Sequence, residues 1–150
     1  QQVARVDGAA LAAGVEGAYI LIVNEYEYDA LRKKTGFSHN DLMARTSTVI
    51  VTRGVNGTDI YAPDATYHIP IVPAAVIKDP TGVGDAFRAG LLKGLAAGWP
   101  WEISGRVGAL AATYVLEQVG TQNHRYTRAE FVARFRQHFD DGGLLDSMLG

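Results

Sequence analysis

The 150-residue sequence contains no cysteine, no extended run of basic residues and no apolar stretch long enough to cross a bilayer. Without cysteine, disulfides and thiolate metal sites are excluded, and such a composition fits a cytoplasmic protein. Without clustered lysine and arginine, nothing neutralises a nucleic-acid backbone. The net charge of −2 and the 47% hydrophobic content agree with one α/β domain that has its own core. We therefore expect small-molecule partners, no nucleic acid and no membrane, with a homodimer as an assembly that the sequence allows.

Motifs of several enzyme classes are also absent. The four histidines have no metal-ligand spacing, and no serine lies in a Gly-x-Ser-x-Gly elbow. There is no Gly-Lys-Ser/Thr for a Walker loop, and a dinucleotide fingerprint would need a small residue where Phe87 stands. The sequence therefore gives no support to a serine hydrolase, a P-loop enzyme or a Rossmann-type dehydrogenase.

The most informative segment is Asp-Pro-Thr-Gly-Val-Gly-Asp-Ala-Phe at residues 79–87. A short apolar strand is predicted before it at 74–78, and helical spacing follows over 86–97. Residues 82–85 would form the first turn of that helix, where unpaired N–H groups and the helix dipole favour an anion such as phosphate. A carboxylate at Asp85 would repel the anion, unless it accepts a proton from the attacking group. An ordinary glycine turn with an N-terminal aspartate fits the same spacing.

A second motif, Asn24-Glu25-Tyr26-Glu27, follows the apolar run at 18–23. An asparagine N-cap with glutamate three residues later predicts a capping box at the start of a helix. A carboxylate at such a position can also hold metal-bound water. The cap is the simpler interpretation, and the two interpretations are compatible.

A β-hairpin is predicted over residues 48–62. The β-branched stretch 48–54 is followed by Asn56-Gly57, which suits a tight primed turn, and then by a second strand at 58–62. Arg53, at the end of the first strand, could neutralise phosphate charge, although an exposed arginine at a strand end is the simpler interpretation.

Together, the motifs resemble those of the ribokinase-like (PfkB) carbohydrate and nucleoside kinases. The signature of that family contains Gly-Ala-Gly-Asp followed by a helix rich in small residues. Five positions match it: Gly82, Gly84, Asp85, Ala89 and Gly90. Val83 replaces the usual small residue, which leaves the backbone cradle intact. The order Asn-x-x-Glu, Thr-x-Gly, Gly-x-Gly-Asp is also the order in the ATP-binding half of this family.

The resemblance implies a role for each motif. Asp85 would be the catalytic base that deprotonates the acceptor hydroxyl, and the N–H groups of the turn, including Gly82, Val83 and Gly84, would stabilise the transferring γ-phosphoryl group. Glu27 would contact Mg²⁺ through water. The implied nucleotide-binding positions are Asn24, Thr52, Arg53, Gly54, Gly57, Gly82 and Gly84. ATP and Mg²⁺ are the implied cofactors. Potassium is a further candidate, with a contribution from the loop at 120–123.

The resemblance also implies a three-layer α/β/α, Rossmann-like ribokinase-type fold, of which residues 1–150 would be the C-terminal, nucleotide-binding portion. The sequence enters the family pattern midway, so we expect the substrate and lid part to be absent, the fragment to be inactive alone, and an apolar sheet edge to be exposed. The expected function is ATP-dependent phosphoryl transfer to a primary hydroxyl of a sugar or nucleoside, with a slight similarity to adenosine-kinase-type members. The alternative is a non-catalytic nucleotide-binding or assembly module.

The remaining patterns predict local structure. Helices are expected at 7–15, at 39–44, from Pro100 to about 118, and after a capping box at Thr127, and a strand is expected at 66–71. The last helix would carry a buried stripe of Phe131, Phe135 and Phe139. We expect residues 140–150 to fray or pack weakly.

Overall fold

The computed structural model describes residues 2–150, which form two compact units, one ending at His68 and the other spanning Ile69–Gly150. The first unit is built around a mixed sheet with helices. The second is helical. None of the described helices is both long enough and apolar enough to cross a membrane.

The sheet has four strands in the order β1-β2-β3-β4. They are β1 (Ile20–Asn24), β2 (Thr48–Thr52), β3 (Thr58–Tyr61) and β4 (Thr66–Ile69). Strand β1 is parallel to β2, with Asn24 opposite Thr52, and β3 is antiparallel to β2. Strand β2 is buried along most of its length, as its β-branched run requires. Strand β1 is first in the order, and three of its apolar residues are half-buried.

Four helices accompany the sheet: α1 (Gln2–Arg5), α2 (Gly8–Val15), α3 (Glu25–Thr35) and α4 (His39–Arg45). Local caps start three of them. Asp7 accepts from the N–H of Ala10 before α2, and capping boxes precede α3 and α4. The apolar residues of these elements share one core: Val15, Val23, Leu31, Leu42, Val49 and Val51.

The second unit contains α5 (Val83–Ala96), α6 (Trp101–Leu116), α7 (Arg128–His138) and a 3₁₀ turn (Leu144–Met148). Helices α5 and α6 cross closely because small residues face each other. A Cβ added to Gly90 would lie 2.8 Å from the Cα of Gly108, and one added to Gly94 would lie 2.6 Å from the Ser104 hydroxyl. The capping box predicted at Thr127 is present, and the core of this unit includes Phe131 and Phe135.

The strand predicted at 74–78 is wrong. This segment has no regular structure, because its backbone pairs with the end of α6 instead of with a strand. The N–H of Lys78 donates to the carbonyl of Leu116, and the N–H of Ala75 donates to the Glu117 carboxylate. The apolar run is also far from buried, with Ile77 71% exposed.

The tight primed turn predicted at Asn56-Gly57 is also wrong, although the hairpin itself is confirmed. Residues 53–57 form a longer connection with a 3₁₀ turn at Gly54–Asn56, closed by the N–H of Arg53 donating to the carbonyl of Gly57. Both central residues of a type I′ turn need positive φ. Here Gly54 (φ 54°) and Gly57 (φ 82°) supply the left-handed positions, and Asn56 does not.

The C-terminal residues pack better than the sequence predicts. Asp141 is buried and forms a bidentate pair with Arg136, whose guanidinium also contacts Asp146. Leu145 is fully buried against the core of the second unit. The prediction that residues 140–150 fray is therefore wrong. The ion pairs that hold them have no helical or strand spacing in the sequence.

Candidate functional site

The N-terminus of α5 presents backbone N–H groups to a ligand. Gly82 is its N-cap in the left-handed conformation, and the N–H of Val83 donates to the carbonyl of Pro80 at 3.3 Å. Within residues 2–150, no protein group accepts a hydrogen bond from the N–H of Gly84 or Asp85. Two donors at the positive end of a fourteen-residue helix can therefore bind an anion.

Glycine is required at position 82 for two reasons. Its φ of 84° strains any residue with a Cβ, and an added Cβ would lie 2.8 Å from Cγ2 of Thr121. At Gly84, by contrast, an added Cβ would meet nothing within 4 Å. The Cβ position of this second glycine thus faces open space.

The Asp85 carboxylate lies in the same turn and is 83% exposed. Its partner is Arg88, one helical turn later, at 2.8 Å. Exposed pairs of this kind are weak, so the carboxylate remains available for proton transfer. A carboxylate beside two free N–H donors is the arrangement that general-base chemistry on an anionic substrate needs.

A cleft of about 490 Å³ runs from this turn along α5. Its lining includes Gly82 and Asp85 from the start of α5 and apolar residues of α6 such as Val107 and Ala111. The ring of Tyr126 also lines the cleft and packs on Tyr114, with centroids 4.3 Å apart. The lining also includes Lys93, so a cleft with both apolar and polar walls suits a ligand that has an apolar part and an anionic part.

The Asp79 carboxylate accepts two backbone hydrogen bonds just before α5. One of its oxygens accepts from the N–H of Thr81 at 2.9 Å, and the other accepts from the N–H of Gly120 at 3.1 Å. These hydrogen bonds lower the pKa of the Asp79 carboxyl, with the Thr81 N–H as the main cause. These two hydrogen bonds connect the residues just before α5 with the loop that follows α6.

The Asn24 motif lies in the first unit, at the carboxyl end of β1. The Asn24 side chain accepts from the N–H of Glu27 at 2.8 Å, and a Glu27 oxygen accepts from the N–H of Asn24 at 3.1 Å. The capping box is thus confirmed, and a role for Glu27 at Mg²⁺ remains a prediction. Because β1 and β2 are parallel and in register, the structure brings Asn24 and Thr52 together.

Arg53 forms an ion pair with a residue of strand β3. Its guanidinium contacts Asp59 at 2.6 Å, and Asp59 also pairs with the Nδ1 of His68 at 2.8 Å. The hydrogen bond to Asp59 raises the pKa of Arg53. A phosphate would therefore compete with Asp59 for this guanidinium. Both the Gly57 N–H and its carbonyl are used inside the turn that follows Arg53.

Two features of this region have no signal in the sequence. One is the contact between Gly82 and Thr121, and the other is the ion pair of Arg134 with Glu117, whose carboxylate also binds the N–H of Ala75. The members of each pair are far apart in sequence, so no spacing rule could have found them.

Sequence comparison and structure comparison both find kinases of one family. Residues 5–128 match the family model described as pfkB family carbohydrate kinase. A nucleoside kinase of Methanocaldococcus jannaschii is 34% identical over 124 residues, which are 83% of this chain and 41% of that protein.

Solved structures of a nucleoside kinase are also similar to this chain. The structure of Burkholderia thailandensis nucleoside kinase in complex with inosine has a TM-score of 0.89 at 40% identity, covering 93% of this chain and 46% of that one. The complex of the same kinase with ADP-inosine has a TM-score of 0.90, covering 93% of this chain and 44% of that one. The chain thus spans less than half the length of these relatives. The likeness confirms the α/β ribokinase-type fold.

Proposed function

The chain belongs to the pfkB family of carbohydrate kinases, and we propose that the protein transfers the γ-phosphoryl group of ATP to a primary hydroxyl of a nucleoside or sugar. The observation that carries this proposal is the exposed Asp85 carboxylate beside two N–H groups that have no acceptor within residues 2–150. For nucleotide binding alone, a carboxylate at an anion site is unfavourable because it repels the phosphate, although the helix dipole stabilises the carboxylate itself.

In the proposed reaction, Asp85 accepts the proton of the acceptor hydroxyl while the oxygen attacks the γ-phosphorus. A new oxygen–phosphorus bond forms, the bond from the γ-phosphorus to the bridging oxygen breaks, and ADP leaves with that electron pair. The N–H groups of Gly84 and Asp85, with the dipole of α5, stabilise charge on the transferring oxygens. Such catalysis depends mainly on positioning and fixed dipoles.

The described residues fit Mg²⁺ only as part of a larger ligand set. No group of three or more acidic, histidine or cysteine residues within 2–150 could hold a metal ion. Mg²⁺ usually keeps several waters and takes phosphate oxygens as ligands, so one carboxylate such as Glu27 can suffice through water. When bound with ATP, the ion would neutralise phosphate charge.

A nucleoside is the favoured acceptor class in this proposal. The Methanocaldococcus jannaschii and Burkholderia thailandensis relatives are both named nucleoside kinases, and the second was solved with inosine. This choice is consistent with the slight similarity to adenosine-kinase-type members in the motifs at 24–27 and 79–85.

The experiment is an acceptor panel with the full-length protein. ADP release is measured with Mg²⁺-ATP and each of a set of nucleosides and sugars, and the product is identified by mass and by the position of its phosphate. We expect ADP release with nucleosides and phosphate on the primary hydroxyl. ATP binding in calorimetry without turnover on any acceptor would instead favour the non-catalytic module.

A further inference from the structure

The segment that leads into the anion-binding turn is held by helix α6. Residues 70–82 lack regular structure and include three prolines, at positions 70, 73 and 80, which have no backbone N–H to donate. The N–H groups of Lys78 and Asp79 both donate to the carbonyl of Leu116, at 2.9 and 3.4 Å. A segment without a strand partner therefore takes its position from the last turn of α6.

Glu117, the C-cap of α6, makes the side-chain part of this attachment. Its Oε1 accepts from the N–H of Ala75 at 2.8 Å. The carboxylate is only 12% exposed and is fixed by Arg134, whose two terminal nitrogens donate to its two oxygens at 2.6 and 2.8 Å. The Arg134 guanidinium also lies over the ring of Tyr114, 4.7 Å from its centroid.

The Glu117 carboxylate thus connects the end of α6 with helix α7 and with the segment that precedes α5. Arg134 comes from α7, Glu117 from the end of α6, and Ala75 from the segment that reaches Gly82 seven residues later. A fork-to-fork pair fixes both the position and the orientation of the carboxylate. Oε1 accepts from both Arg134 and Ala75, so the oxygen that receives the Ala75 N–H has a fixed position.

We propose that Glu117 is a positioning residue for the anion-binding turn at 82–85, acting through the Ala75 N–H. The proposal rests on the proposed function in that the turn is taken to bind the transferring phosphoryl group. The left-handed Gly82 fits closely against Thr121, so the turn has little room to shift without losing its geometry. A misplacement of about 1 Å at a reacting centre can cost about 100-fold in rate.

A matched pair of variants separates positioning from stability. Glu117→Gln keeps an oxygen that accepts from the Ala75 N–H and loses the charge opposite Arg134, whereas Glu117→Ala loses both. Glu117→Ala should lose more melting temperature than Glu117→Gln, so the two rates are compared at a temperature where both variants are folded. We expect kcat to fall by about 10-fold or more in Glu117→Ala, with a smaller change in the KM for ATP, and to stay near wild type in Glu117→Gln.

Amide hydrogen exchange supplies a second readout that does not need turnover. In the full-length protein, we expect faster exchange at 75–84 in Glu117→Ala than in Glu117→Gln. Equal exchange in the two variants, or equal kcat after correction for folded fraction, would overturn the proposal. A wild-type protein that phosphorylates no acceptor would instead overturn the proposed function, and the exchange comparison would still decide whether Glu117 positions the turn.

Discussion

Replacing Asp85 by asparagine separates the proton-accepting role of this side chain from its structural roles. The change keeps the shape of the side chain and removes the charge. The only ion pair lost within the described residues is the exposed contact with Arg88, and such pairs are worth about 0.2–1 kcal/mol. The favourable interaction of the carboxylate with the helix dipole adds about 0.3–1 kcal/mol. We therefore expect a folded variant with a small loss of stability.

The effect on the reaction should be much larger. Loss of a general base typically lowers the rate by about 10²- to 10⁴-fold, which corresponds to about 2.7–5.4 kcal/mol of transition-state stabilisation. Because Gly84 and its N–H are unchanged, ATP should still bind. The assay is steady-state ADP release with the best nucleoside acceptor, with ATP affinity from calorimetry and folding from thermal denaturation.

Arg88→Gln is the matched control, because it breaks the same ion pair and keeps the carboxylate. We expect this control to retain most of the wild-type kcat. If Asp85→Asn turned over at nearly the wild-type rate, or if both variants lost activity equally, Asp85 could not be the base, and the reasoning from the exposed carboxylate would be refuted.

Three further predictions concern stability and local geometry. The hydrogen bonds from Arg136 lower the pKa of the buried Asp141 carboxyl to about 2. The ionised Asp141 therefore stabilises the fold above about pH 3.8, and this stabilisation is lost as the pH falls through about 2. Acid denaturation should show this contribution, at most about 2 kcal/mol, and Asp141→Asn should abolish it. Gly90→Ala should cost about 1–3 kcal/mol in urea unfolding because of its contact with α6, whereas Gly14→Ala, which meets nothing within 4 Å, should be neutral or stabilising. Gly82→Ala should cost about 1–2 kcal/mol for its left-handed backbone and should weaken ATP binding in calorimetry.

Each of these predictions has a contradicting result. An Asp141→Asn variant with the same acid profile as the wild type would show that the Arg136 pair contributes nothing. Equal effects of alanine at positions 90 and 14 would mean that the close helix crossing is not a packing constraint. Unchanged ATP affinity in Gly82→Ala would separate nucleotide binding from the conformation of the turn.

The sequence predicts the parts of the fold that short-range rules govern. The capping boxes at Asn24 and Thr127 are confirmed because each needs only two residues three positions apart. The helix after residues 82–85 and the β2–β3 hairpin are confirmed for similar reasons. The turn chemistry at Asn56 was wrong because Gly54 offered a second left-handed position that the Asn-Gly rule ignores.

Long-range contacts explain what the sequence could not predict. The apolar run at 74–78 has strand composition, yet its N–H groups bond to α6 about 40 residues away. Asp141 packs the C-terminal residues through Arg136, which no periodicity reveals. At the candidate site, the glycine pattern placed Asp85 at a helix start correctly, but Glu117 carried no signal because its partners are distant in sequence.

In the proposed function, the free N–H groups at the start of α5 bind the terminal phosphate of ATP. The most direct test is the amide NMR signals of Gly84 and Asp85 in the full-length protein during titration with a non-hydrolysable ATP analogue and with ADP. We expect large shifts of these two signals with the ATP analogue and clearly smaller shifts with ADP. Nucleotide binding that shifts other signals and leaves these two unchanged would show that the phosphate binds elsewhere.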